Sequence, residues 1–133
     1  MSVIVTDAGF GPDGFNAGFA APGEQGPGQG VDLPNTADVA AIFDAVRDAP
    51  LIRIPFPSSA DGRGFSVASR LRDMGFAGRL RAQGHVIAEQ YRKARGSGFD
   101  EVEIDDALAA RQPEPQWRPV QTLSYQSRFR RSA

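Results

Sequence analysis

Between Leu51 and Glu103, short apolar runs alternate with segments of helical period, and each passage from run to helix carries glycine beside charged or polar residues. A chain of strand–helix–strand units produces this alternation, because a parallel strand needs a crossover of helical length before its neighbour can form. The expectation is an α/β fold: a single small domain with a βαβαβ core of parallel strands over residues 51–104 and helices packed on the sheet. Leu51, Ile52, Ile54 and Phe56 make the first core strand, where Pro55 fits only at a position that needs no ladder donor. From Phe65 to Met74, Val67, Ala68, Leu71 and Met74 share one helix face, and Gly75 occupies the C′ position. Arg79 to Ala82 alternates as a second strand, with Leu80 and Ala82 on one face and Arg79 and Arg81 on the other. A second helix is expected from His85, ended by Gly96 and Gly98, and Glu101 to Ile104 gives the third strand with Val102 and Ile104 inward.

At 133 residues and 41% hydrophobic, the chain supports one core, so residues 1–133 are read as one domain. Val3 to Val5 is a short β-branched run, a first or edge strand. Eight glycines and four prolines fall between Gly9 and Pro34, which reads as a long loop tacked down by Phe10, Phe15 and Phe19 and without strand interiors. Within it Gly9 to Gly14 matches the spacing G-x-G-x-x-G, but no helical period follows, so the dinucleotide-binding context is missing. Asn35 or Thr36 is the expected cap of a helix running to about residue 48, and Asp105 or Asp106 that of a short Ala-rich helix. Beyond Pro113, Pro115 and Pro119, Thr122 to Tyr125 is strand-like and 127–133 reads as a frayed tail.

The chain contains no cysteine, which removes disulfides, thiolate catalysis and cysteine-ligated metals. No metal or cofactor motif is found. The start has neither a basic segment nor a long apolar one, and no apolar run approaches the roughly 18 residues of a membrane span, so a cytoplasmic, non-membrane protein is expected. A net charge of −1 hides segregation: residues 1–50 carry −6, 51–95 carry +6, 96–106 carry −5 and 107–133 carry +4. A basic centre between acidic flanks suits a small anion or an acidic partner patch better than nucleic acid, which is not expected as a partner.

The two junctions hold the candidate site. A helix N-terminus at the carboxyl end of a strand offers free N–H groups and positive potential, and glycine lets an anion approach the backbone. Asp61, Gly62, Arg63, Gly64 and Ser66 at the first junction, Gln83, Gly84 and His85 at the second, and Arg79 and Arg81 on the strand between are the anion-binding candidates. Glu89 and Gln90 are supporting positions. A plain turn and helix cap explains Asp61 and its glycines equally well, and the remaining helix arginines read as a solvated face. Arg79 and Arg81 either face solvent or line a groove. No zinc-protease, serine-hydrolase or P-loop signature is present, so a non-catalytic role is expected ahead of an enzymatic one.

Phe56-Pro57-Ser58-Ser59-Ala60-Asp61-Gly62-Arg63-Gly64-Phe65-Ser66, then Leu80-Arg81-Ala82-Gln83-Gly84, Gly98-Phe99-Asp100 and a late Tyr125-Gln126 resemble the signature of an uncharacterised bacterial domain-of-unknown-function family. Its genes lie beside those of sulfite reductase and phosphoadenylyl-sulfate reductase, and it is sometimes loosely labelled a probable oxidoreductase. The likeness spans about residues 50–126. Where that family commonly has an Asp-Gln pair, this chain has Glu89-Gln90, which keeps the chemistry and lengthens the arm. The resemblance implies assimilatory sulfate and sulfite reduction as the setting and sulfite reductase as a partner. Two functions follow as expectations. One is an accessory protein contacting sulfite reductase, with exposed phenylalanines and arginines as its surface. The other is an enzyme acting on a small sulfur- or phosphorus-containing anion, with Arg63 and Arg81 as clamps and His85 or Glu89 as acid/base.

Overall fold

The computed structural model describes residues 2–117. One seven-stranded sheet carries strands β1 (Ser2–Thr6), β2 (Gly9–Gly11), β3 (Phe19–Ala20), β4 (Gly30–Asp32), β5 (Leu51–Phe56), β6 (Arg79–Gly84) and β7 (Glu101–Asp105). Their order is β2-β1-β7-β6-β5-β4-β3. Strands β3 to β7 are mutually parallel, as expected for the 51–104 core, and β1 and β2 close the far edge antiparallel. The helices are α1 (Val39–Val46), α2 (Arg63–Asp73), α3 (Tyr91–Ser97), α4 (Asp106–Arg111) and α5 (Glu114–Trp117).

Each crossover from β4 to β7 steps one place in the same direction along the sheet. Since such crossovers are right-handed, α1, α2 and α3 all lie on one face. That face is apolar: Ile52, Ile54 and Phe56 of β5, Leu80 and Ala82 of β6, and Val102 and Ile104 of β7 are buried against the helices. The opposite pleat of the same strands carries Arg53, Arg79, Arg81, Glu101 and Glu103, and no crossover helix covers it. Pro55 sits beyond the end of β4, whose last rung joins Asp32 to Arg53, so its missing N–H breaks no ladder.

Several expectations need correction. The Gly/Pro-rich segment is not all loop, since it supplies β2, β3 and β4; Gly9 to Gly14 opens no helix but enters an edge strand. Helix α1 starts later, with Asp38 accepting from Ala41 N–H as its cap. His85 does not begin a helix: Gly84 turns at φ +119°, and a single 3₁₀ turn at Ala88–Gln90 leads into α3. Asp105 caps α4 by accepting from Leu108 N–H at 2.8 Å. The segment Thr122 to Tyr125, Gln126 and the tail 127–133 lie outside the described residues.

Candidate functional site

Both junctions lie at the carboxyl edge of the sheet, where Phe56 of β5 pairs with Gly84 of β6. At the first, Asp61 is the organising residue. Its carboxylate accepts from Arg63 Nε at 3.0 Å, Arg63 Nη2 at 2.7 Å, the Arg63 backbone N–H at 3.2 Å and Asn35 Nδ2 at 3.2 Å. The Arg63 side chain, followed by its backbone N–H, holds Asp61 far below the usual carboxylate range, and Asp61 raises Arg63 in return. The Arg63 side chain remains 60% exposed, so its outer edge is open to a solute. Gly62 is the N-cap residue of α2 and brings no side chain to the cap.

The glycines here serve packing as much as access. A Cβ on Gly64 would lie 2.6 Å from the Phe56 ring, so its absence is what lets α2 settle on β5. A Cβ on Gly84 would lie 2.7 Å from the Phe56 carbonyl oxygen, and its positive φ disfavours any side chain.

The second junction has few donors left. His85 N–H donates to the Phe56 carbonyl, Ile87 N–H to Gln90 Oε1, and Ala88 N–H to Gln112 Oε1. Gln90 also donates through Nε2 to the Ser59 carbonyl at 2.7 Å, which fastens the two junction loops together. His85 and Glu89 are exposed. Among the described residues no hydrogen bond or ion pair joins Asp61 or Arg63 to Gln83 or His85.

Arg79, Arg81 and Gln83 stand on the other face of the sheet. Arg81 neither faces solvent nor lines an open groove; its side chain is 0% exposed. It donates to Glu101 at 2.6 Å, to Glu103 at 2.8 Å, and through Nη1 and Nη2 to the two oxygens of Asp13, each at 3.1 Å. Arg79 adds a second donor to Glu101, and Arg53 bridges Glu103 and Asp32. Burial works against the Arg81 charge, but Asp13, Glu101 and Glu103 outweigh it and leave its pKa above the ordinary guanidinium value. Arg53 is raised chiefly by Asp32, and Asp13 is lowered because hydrogen bonds from Arg81 and Phe15 N–H outweigh its own desolvation.

This network shows where the segregated charge goes. The basic strand β6 lies beside the acidic strand β7, and Arg72–Asp100 and Arg95–Asp7 pair more of the basic centre with its acidic flanks. Among the described residues the exposed cations of 51–95 left without an ion pair are Arg70, Arg92 and Lys93, on α2 and α3. A groove of about 420 Å³ between these helices is lined by Ser66, Ser69, Arg70, Asp73 and Lys93, with Phe65 beneath the Lys93 ammonium at 5.0 Å. The phenylalanines of the Gly/Pro-rich segment are half-buried rather than exposed: Phe10 packs on Trp117, and Phe15 on Phe19. Among the described residues Met74 is the large hydrophobic residue that is exposed.

Sequence reasoning missed Asp13, Phe19, Arg53, Glu101 and Glu103 as members of the polar face. One signal was available: Arg79-x-Arg81 and Glu101-x-Glu103 are period-two charges of opposite sign on strands expected to be neighbours. Nothing local points to Asp13, which is 68 residues from Arg81.

Residues 30–133 match the model of a family described as bacterial protein of unknown function (DUF934). No curated protein and no solved structure matches the chain. Among the described residues no helix is long and apolar enough to cross a membrane, and no group of three or more His, Asp or Glu side chains could hold a metal ion.

Proposed function

We propose that this chain, which belongs to that bacterial family of unknown function, is a non-catalytic accessory protein of assimilatory sulfate and sulfite reduction that contacts sulfite reductase in the cytoplasm. The observation that carries an adaptor reading is the disposition of charge. Most of the basic centre is spent on internal carboxylates, whereas Arg70, Arg92 and Lys93 stay exposed, Arg70 and Lys93 lining a polar groove between α2 and α3. Such a face suits an acidic protein surface, where Arg contributes strongly and complementary charge speeds encounter. The setting and the partner rest on the resemblance of the Phe56–Ser66 and Leu80–Gly84 motifs.

The test is affinity capture of sulfite reductase from cell extract at low salt, with the Arg70→Glu/Lys93→Glu variant beside the wild type. Enrichment by the wild type, reduced at least tenfold in the variant, is the expected result. No enrichment over a control, together with normal sulfite reductase activity in a deletion strain, overturns it.

The exposed, carboxylate-oriented Arg63 at the N-terminus of α2 favours a second reading, an enzyme acting on a small sulfur- or phosphorus-containing anion. On that reading Arg63 and Ser66 hold the anion. Arg81 is already occupied by carboxylates, which leaves His85 or Glu89 as acid/base. Calorimetry with sulfite, sulfate and phosphate decides it: millimolar or tighter binding lost in Arg63→Ala supports the site, and no heat with any of the three removes it.

A further inference from the structure

The polar face of the sheet has an unusual cover. Residues 11–29 contain no buried residue, yet two of them, Asp13 and Phe19, form a strap over Arg81, whose side chain is wholly buried. Their hold on that face is made at few points. Asp13 forks onto Arg81 Nη1 and Nη2. The Phe19 ring sits 3.8 Å from the Arg53 guanidinium and 5.8 Å from that of Arg81. Gly30 leaves the space for this ring, since a Cβ there would lie 2.7 Å from it. Beyond Phe19 the segment is tied by a two-residue strand and by Gln25 Nε2 donating to the Ala45 carbonyl at 2.8 Å.

Beneath the strap the face presents two guanidinium groups and a glycine. Arg81 offers a planar fork whose Nη2 has Asp13 as its hydrogen-bond partner, and Glu101 and Glu103 hold that fork rigid. Arg53, fixed by Asp32 and Glu103, presents its flat guanidinium to a ring, and the glycine at position 30 leaves a gap beneath. A carboxylate followed at a short interval by an aromatic side chain is the ligand that such a face selects. Gly30, Arg53 and Arg81 lie within the family match at 30–133, whereas Asp13 and Phe19 lie before it.

We infer that Asp13–Phe19 is a displaceable resident of a docking cleft formed by Arg53, Arg81 and Gly30, and that the cleft receives an acidic-aromatic segment of a partner protein. The strap carries few buried contacts, so it opens at a cost well below that of unfolding the sheet. Tethering gives it a millimolar effective concentration, so an incoming segment must outcompete it. The inference deepens the adaptor reading by adding a second face and the chemistry of what docks there.

The probe is a fluorescent peptide with the chain's own sequence Gly11 to Ala20, tested on the purified full chain by anisotropy and by NMR. The Asp13→Asn/Phe19→Ala variant, with its strap weakened, binds the peptide at least tenfold more tightly than the wild type. A peptide bearing Asn in place of Asp loses at least tenfold. A folded double variant with no saturable binding at millimolar peptide overturns the inference. Should that variant not fold, Asp13→Asn alone replaces it. In the wild type, millimolar peptide shifts the Arg53 and Arg81 side-chain resonances; shifts confined to other residues, or none, overturn the inference equally. No sulfite reductase enters this experiment, so its failure leaves the α2–α3 contact standing, and failure of the capture experiment leaves the cleft standing.

Discussion

Arg81 is a fully buried cation whose neighbours are Glu101, Glu103 and Asp13. The attraction among such groups roughly offsets their desolvation, so the intact cluster is a weak source of net stability, but removing one member strands the others. Arg81→Ala should therefore cost about 3–5 kcal/mol in urea denaturation. Arg81→Lys should recover only part of this, because an ammonium cannot serve Asp13 bidentately while also reaching Glu101. The pH dependence follows from Asp13, whose pKa is lower in the folded chain than its ordinary 3.8. A depressed carboxylate contributes its full stability above the unfolded value and loses it as pH falls through the folded one. The stability gap between wild type and Asp13→Asn should accordingly be constant near neutrality and shrink as pH drops below 3.8. Denaturant melts of both proteins across that range check the sign; a gap that widens in acid contradicts the Asp13–Arg81 pair.

At the scale of elements, the two glycines of Asp61-Gly62-Arg63-Gly64 separate by experiment. Gly64→Ala drives a methyl to 2.6 Å from Phe56 Cζ and 3.1 Å from Ile54 Cγ2. Overpacking of this kind costs about 1–3 kcal/mol. Gly62 has φ −93° and meets the Phe65 ring no nearer than 3.6 Å, so Gly62→Ala should stay within about 0.5 kcal/mol of wild type. Thermal melts of the two variants test this. Equal losses would mean that α2 does not seat on β5 through Gly64. The same elements show what the sequence made legible. Strands β5, β6 and β7 and helix α2 were readable because alternation and helical period each persist for a full element, with Gly75 marking the end of α2. Strands β2, β3 and β4 were not, since strands of two or three residues among glycines and prolines have no period to read; neighbouring strands define them. The late start of α3 was hidden for a related reason: Val86 and Ile87 fit a helical stripe, but Gly84 and the Gln90 and Gln112 caps place the first turn beyond them.

Across the whole molecule, the sheet is wound in one direction from β4 to β7, so it lacks the reversal of strand order at which open α/β sheets usually form their ligand crevice. The junction residues reach one edge, as their positions after β5 and β6 imply, while Arg79 and Arg81 fall on the opposite face because side chains on a strand alternate. The charge blocks, which read as an invitation to an external anion, are largely consumed when β6 pairs with β7. The parallel register of Arg81 with Glu101 turns that matching period of opposite charges into a pairing.

One consequence concerns residues 2–29, which precede the family match yet complete the sheet. Strand β1 pairs with β7 over four rungs and contributes Val5, which is fully buried, and Ile4, at 6% exposure. Each such aliphatic side chain is worth about 1.5–3 kcal/mol, and the loss of Asp13 removes one of the three carboxylates that hold Arg81. Together these approach the whole stability of a small domain, on the order of 5–15 kcal/mol. A chain beginning at Gly30 should therefore lose cooperative thermal unfolding and its dispersed NMR spectrum. A milder change separates the two contributions: replacing only residues 12–17 with a Gly/Ser linker keeps β1, β2 and β3, and should leave a cooperative transition at lower temperature. If the chain starting at Gly30 instead melts cooperatively near the full-length midpoint, β1 is dispensable and the sheet is completed at β7 by other means.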